Sequence, residues 1–569
     1  MKGHRGSGHT GSGPVESGHA GSRQARNWRT LAARESGQGT VEYTGLAVVI
    51  AIILGALLFS APSWGSALTS TVDRIICDIS QPLSGGECGD GESHENLALE
   101  ESGPDSHPGE DTGPQPAAAP EEPGIPDDRL EQELVDEAVE LFERAIAENA
   151  TGADIRALRE HLADLSSAEI RHLSEQHPNI SRYSMPVPRT QEQLASFPTG
   201  AEGANWWNDS LTEEQRTALA QYMPLMIGNV EGVDYETRSE ANLNALAFLR
   251  GHEGTTAAQQ ERLDQIASSM LDPTGQLDEN RYLLSLNMGH PRENSGRWYN
   301  PFDWGAAEEK HWPDPLAAVS VGNPDTTETT SFNIAGMGSN TDNMSTEVRR
   351  AQGLYDGLDE THAVISWIGY DPPSTASPSV WSSDLAEAGG YALAYALDGY
   401  QQTRATSGDS PAVFLNCHSY GTNTCNHALM NNQETVAGLT MYGSSGIPHH
   451  LFEEGVPPVQ QLNVATYGES NLPAVFATES PDDFWAPLGR NPLGLGIIDR
   501  YNPAQDSSYG AQIFYSDGEG GNIEGEGVHG HGQNEYDHPE RYGYLDPDSQ
   551  SYETMILILQ GLAEEVEFK

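Results

Sequence analysis

Between Pro411 and Met430 the sequence reads PAVFLNCHSYGTNTCNHALM, a local pattern that leaves the backbone little freedom. Val413, Phe414 and Leu415 form an apolar run of the length and composition of a buried strand, which stops at Asn416. Beyond the turn, Ala428, Leu429 and Met430 close one face of a helix. Between them lies Cys417-His418-Ser419-Tyr420-Gly421. A strand that turns abruptly into a helix with a serine at the apex holds a strained backbone, and the strain lifts the serine Oγ clear of the sheet. Side chains crowd two residues before such a serine, so a small residue belongs there, and Cys417 is small. An ordinary turn serine is the competing reading of these five residues, and the rest of the chain decides between the two.

The surrounding chain has the matching architecture. From about Gly322 onward, short apolar runs alternate with helix-length segments. Strands are predicted at Ser331 to Ile334, Ala363 to Trp367, Val413 to Asn416, Gly438 to Tyr442, Ala474 to Thr478 and Gln512 to Tyr515. Helices are predicted at Thr346 to Leu358, Ser383 to Thr406, His418 to Asn432 and Glu553 to Phe568. Such alternation implies an α/β fold, a mostly parallel sheet with helices on both faces. Ser419 then lies at the C-terminal edge of a central strand, where open α/β sheets place their sites.

An acyl-transfer serine needs a base to take its proton, an acid to orient that base and N–H donors for the oxyanion. The order serine, acid, histidine is satisfied here. Glu479-Ser480-Pro481-Asp482-Asp483 follows a predicted strand, and a later Gly-rich loop holds His529, His531 and His538. His531 is preferred as the base over His538, with His529 third, because a strand would turn the His529 side chain away from the site. Metal binding by His529, His531, Asp537 and His538 lacks any recognised ligand spacing, so neither metal nor cofactor is expected. Trp206, Trp207, Trp367 and Tyr370 read as core or pocket wall.

Gly322-Asn-Pro-Asp325, Ile334-Ala-Gly-Met-Gly-Ser-Asn340, Arg350-Ala-Gln352, Trp367-Ile-Gly-Tyr-Asp371 and His418-Ser-Tyr-Gly421 together resemble, in this order, an actinobacterial α/β-hydrolase family long catalogued as a domain of unknown function. Trp206-Trp207, Leu211 to Arg216 and Pro224 to Asn242 resemble the helical segment that precedes the hydrolase core there. The resemblance implies an α/β-hydrolase fold over residues 291–569, a Ser419 nucleophile and an Asp482 acid, with Asp483 and Glu479 as near neighbours. It also implies oxyanion N–H groups from Met337 and Tyr420. Val528-His-Gly-His531 looks like the family's entry to its catalytic loop, whereas Tyr544-Leu-Asp546, which follows that loop's histidine closely in the family, stands nearer His538.

The N-terminal quarter has a different character. Residues 1–43 are Gly-, Ser- and Arg-rich and are expected to be disordered. From Thr44 to Val72 no charged residue occurs, and the apolar centre reaches the roughly 20 residues that cross a bilayer. Basic residues precede this span, and none occurs between Arg74 and Arg129, so the chain beyond it is expected outside the cell membrane. Gly37-Gln-Gly-Thr-Val-Glu42-Tyr43 resembles the prepilin signal of Flp and Tad pilin-like proteins, which implies cleavage after Gly37 by a prepilin-type peptidase; a plain signal anchor is the alternative. Cys77 and Cys88 are expected to be bridged on the oxidising side. Cys417 and Cys425 are expected to be free, their Cα atoms lying beyond the roughly 7 Å that a bridge tolerates. Residues 73–127 read as an acidic linker and 128–290 as a helical region.

Asp and Glu number 84 against 29 Lys and Arg, a formal net charge of −55. That balance repels phosphate backbones, so nucleic acid is excluded as a partner. The expectation is a membrane-anchored, outward-facing serine hydrolase acting on a small or lipid-like ester, thioester or amide. The alternative is a hydrolase-fold scaffold or pilin-like surface component without activity.

Overall fold

A computed structural model describes residues 132–569 apart from 148, 183, 253–254, 289–314, 374–377, 491–498 and 536–539. Eight strands form the main sheet: β1 (Arg281–Asn287), β2 (Leu316–Val321), β3 (Thr329–Ile334), β4 (His362–Ile368), β5 (Ala412–His418), β6 (Gly438–Tyr442), β7 (Val475–Thr478) and β8 (Gln512–Ile513). Their order is β1-β2-β4-β3-β5-β6-β7-β8. β1 with β2 and β2 with β4 pair antiparallel, and every later pairing is parallel.

The central strands are apolar on both sides because both sides are covered. In β4, Val364 and Ile368 face one core, while Ile365 and Trp367 face the other. β5 divides in the same way, with Phe414 on the first side and Val413, Leu415 and Cys417 on the second. This is the period of two that places successive side chains on opposite faces. Before the sheet come α1 (Gln132–Ala145), α2 (Gly152–Asp164), α3 (Ser167–Gln176), α4 (Glu213–Tyr222), α5 (Tyr235–Arg250) and α6 (Ala257–Ser269). The first sheet core is closed by α7 (Met344–Asp356) and by α10 (Gln550–Leu559); the second is closed by α8 (Asp384–Thr406) and α9 (Gly421–Leu429).

Helices α1 to α4 pack into a third apolar core of their own. Several of their polar residues have capping roles: Thr151 with Asp154, Ser166 with Glu169 and Thr212 with Gln215 form reciprocal capping boxes, each satisfying two N–H groups that the helix leaves open. All described residues fall in one compact unit.

The region expected to be helical, 128–290, ends in a strand. β1 lies inside it and pairs with β2, so the sheet begins before residue 291. The segment 1–43, the span 44–72, the linker 73–127, the Gly37 cleavage motif and the Cys77 to Cys88 pair all lie outside the described residues. Among the described residues no helix is long and apolar enough to cross a membrane.

Candidate active site

β5 sits between β3 and β6, with Cys417 level with Ile334 and His418 level with Tyr442. The chain then reverses at Ser419, whose φ is 53°. A non-glycine residue in the left-handed region stores strain and has to be held there by its surroundings. The holding contacts are visible. Ser419 N–H donates to the Tyr442 carbonyl (3.1 Å), and the Ser419 carbonyl accepts from the Thr422 hydroxyl (2.6 Å) and from Ser445 N–H (3.3 Å).

Glycines clear the space around this turn. A Cβ on Gly336 would sit 2.6 Å from Ser419 Cβ, and one on Gly421 would sit 2.6 Å from the Ile334 carbonyl oxygen. These are contacts that side chains cannot make, so both positions need glycine for close approach.

The turn is also cross-linked. Cys417 and Cys425 form a disulfide with Cα atoms 6.6 Å apart, which corrects the expectation of two free thiols. The expectation assumed that the helix leaves the strand end behind. Because the chain reverses at Ser419, α9 folds back over β5 and brings Cys425 within bridging reach.

Three side chains from distant segments meet at this edge. His531 Nε2 lies 2.8 Å from Ser419 Oγ, and His531 Nδ1 lies 2.9 and 2.8 Å from Asp483 Oδ1 and Oδ2. With a carboxylate on one side, the ring carries its proton on Nδ1 and offers Nε2 as an acceptor to the serine hydroxyl. Asp483 also accepts from Ala486 N–H (2.9 Å) and from the Tyr544 hydroxyl (3.0 Å). Burial pulls the Asp483 carboxyl up, but the electrostatic attraction of His531 and the hydrogen bonds from His531, Ala486 N–H and Tyr544 outweigh it, and the net shift is below the usual carboxylate value. Asp483 therefore stays ionised at neutral pH.

The carboxylate beside the histidine is thus Asp483, a correction to the expectation of Asp482. Asp482 is exposed and, among the described residues, only its main-chain N–H is bonded, to Ser480 Oγ at 3.2 Å. Glu479 is held by Arg490 at 2.6 and 2.9 Å. The sequence carries a signal that separates the two aspartates. A short helix, Trp485–Arg490, starts directly afterwards with Pro487 in its first turn, and the Asp three residues before Ala486 is the one whose side chain reaches the first free N–H groups.

Of the three histidines, His531 reaches Ser419, and Gly530 before it has φ of 101°, which turns the loop inward. His529 instead takes Tyr542 N–H on its Nδ1 (3.3 Å). His538 lies outside the described residues. Met337 follows Gly336 at the end of β3, and Tyr420 follows the serine. Among the described residues neither main-chain N–H donates to a protein acceptor.

Sequence reasoning passed over His418 and Tyr544 as site residues. His418 is buried, lies 4.7 Å ring to ring from His531, and donates from Nε2 to the His531 carbonyl (2.8 Å). Burial first, and the neighbouring His531 second, push its pKa well below the usual histidine value, so it is neutral. The Tyr544 hydroxyl accepts from Ser480 N–H (2.8 Å) while donating to Asp483, tying the acid loop to the histidine loop. Among the described residues no three His, Cys, Asp or Glu side chains gather as a metal-binding group.

Comparison with protein families agrees on the fold. A family described as "Alpha/beta hydrolase" matches residues 313–451, which include the Gly336 turn and the Ser419 elbow. Among curated proteins, an uncharacterized protein of Mycobacterium tuberculosis strain H37Rv, and its counterpart in strain CDC 1551, are 29% identical over 268 residues, 42% of this chain. The chain spans 38% of the length of these curated relatives. Solved structures with similarity include a dienelactone hydrolase from Anabaena variabilis, at 16% identity and TM-score 0.20 over 31% of this chain and 72% of that one. A hyperthermophilic esterase from the archaeon Pyrobaculum calidifontis shows 14% identity and TM-score 0.26 over 44% of this chain and 82% of that one. The sheet, its strand order and the matched segment are those of the α/β-hydrolase fold.

Proposed function

We propose that this protein is a serine hydrolase that cleaves an ester, thioester or amide through an acyl-enzyme. The single observation that carries the reading is the unbroken hydrogen-bonded chain from Asp483 through His531 to Ser419, built on a strained turn at the C-terminal edge of the sheet. In the proposed reaction Ser419 Oγ bonds to the substrate carbonyl carbon while its proton passes to His531 Nε2. The carbonyl oxygen becomes an oxyanion facing Met337 N–H and Tyr420 N–H. The carbon–heteroatom bond then breaks, and the leaving group takes the proton from His531. Water repeats the sequence against the acyl-serine, releasing the acid and restoring the serine. Asp483 holds the ring in the tautomer that accepts from serine and stabilises the imidazolium in between.

A fluorophosphonate probe tests the reading. Covalent labelling of the full-length protein that disappears in Ser419→Ala is expected, and absence of labelling in folded protein would overturn it. We further propose that the apolar span 44–72 anchors the chain with residues 128–569 outside the cell. Protease added to intact cells is expected to remove that portion, and its full protection would refute the orientation.

A further inference from the structure

A second site lies on the face of the sheet covered by the helical segment, apart from the residues that meet at Ser419. Ile155 and Arg159 of α2, Leu284 of β1, Phe332 of β3, Trp367 of β4 and Tyr395 of α8 line a cavity of about 60 Å³. At roughly 10–15 Å³ per water-sized group, this is room for about four to six non-hydrogen atoms.

Arg159 is 5% exposed, and among the described residues its guanidinium makes no hydrogen bond: Nε and Nη1 are buried without a partner, and no carboxylate lies within ion-pair distance. The Trp206 ring lies 5.6 Å from it. The nearby carboxylates are engaged elsewhere. Glu231 is held by Arg238 at 2.8 and 3.2 Å, and Glu202 by Arg156 at 2.9 Å through each oxygen. The cavity wall therefore carries one uncompensated positive charge: its other two charged groups, Arg238 and Glu231, pair with each other, and Leu284, Phe332 and Trp367 give it an apolar side. A buried charge without a partner is strongly unfavourable, and burial pushes the Arg159 pKa down accordingly.

We infer that the cavity binds a short-chain carboxylate, its two oxygens on the Arg159 guanidinium and its alkyl group against Leu284, Phe332 and Trp367. The charge selects a monoanion, since a dianion would leave a negative charge buried beside Glu231. The planar fork of arginine matches a carboxylate in two parallel hydrogen bonds. The apolar wall and the small volume favour a group of the size of propionate over a larger or wholly polar anion.

Sodium propionate, titrated into the full-length protein to about 100 mM at constant ionic strength, is expected to raise the melting temperature by about two degrees along a saturating curve. Sodium chloride at the same ionic strength is expected to leave it unchanged. Arg159→Met should abolish the response. Ala396→Leu, which fills the cavity while keeping the arginine, should also abolish it and serves if Arg159→Met does not fold. No response in the native protein, an equal response to chloride, or a response that persists in either folded variant would each overturn the assignment.

Discussion

Replacing Asp483 by Asn is a sharp test of how the site is wired, because the two carboxylate oxygens have different duties. Oδ1 accepts from Ala486 N–H at 2.9 Å, and Oδ2 accepts from the Tyr544 hydroxyl at 3.0 Å; both face His531 Nδ1. An amide NH2 cannot occupy the Oδ1 position, where it would meet the Ala486 N–H head on. Placed at Oδ2, it points a donor at His531 Nδ1, and the ring must move its proton to Nε2 to receive it. Nε2 then has no lone pair for the serine proton. Loss of the correct tautomer costs about 10⁴ in kcat, which is about 5.5 kcal/mol of transition-state stabilisation. Asp482→Asn alters an exposed side chain and should change kcat less than about twofold. Hydrolysis of a nitrophenyl ester, with a thermal melt of each variant, measures both. An Asp482→Asn protein that is folded and inactive, beside an active Asp483→Asn protein, would refute the wiring.

Three further outcomes are expected. Gly336→Ala places a methyl group 2.6 Å from Ser419 Cβ, so the serine must move, and kcat should fall by about 10² with the fold intact; turnover within a few fold of native would contradict the close packing. Cys417→Ala with Cys425→Ala removes a bridge across a separation of eight residues, worth about 2–3 kcal/mol, and the urea midpoint should drop accordingly; an unchanged midpoint would show that the bridge contributes nothing. Burial raises the Asp398 carboxyl from 3.8 to about 6 against the opposing hydrogen bonds from Gln433 and Glu434 N–H, so the folded state binds the proton more tightly than the unfolded one. Stability should therefore fall as pH rises from about 4 to about 6, and Asp398→Asn should flatten that slope in urea titrations. A slope unchanged in the variant would assign it to other groups.

What could be read from the sequence, and what could not, follows from the range of the interactions involved. The strands from β3 to β7 announce themselves as short apolar runs because they are buried on both faces. β1 and β2 did not. β1 follows directly on helices and alternates weakly, and β2, Leu-Ala-Ala-Val-Ser-Val, is rich in small residues; their antiparallel pairing at one end of the sheet breaks the strand–helix rhythm. Ser419 could be placed by local pattern, since the elbow is local. Choosing Asp483 over Asp482 depended on which neighbour the following helix turns inward. The Cys417 to Cys425 bridge depended on how far the chain reverses at one residue, a matter of a single torsion angle.

The hydrogen-bonded chain at Ser419 also has a consequence for the order of events in folding. It joins residues 48 and 112 positions apart, and its histidine loop follows β8, which pairs with β7 through only two residues and is tied by Lys569 N–H to the Ile513 carbonyl. Contacts of such long sequence separation close late, and a thinly paired edge opens first. A refolding population should regain helical signal before it can be labelled by a fluorophosphonate, and mild denaturant should silence Ser419 while the elbow, bridged to its helix, is still in place. Simultaneous recovery of both signals would mean that the edge and the elbow form as one cooperative unit.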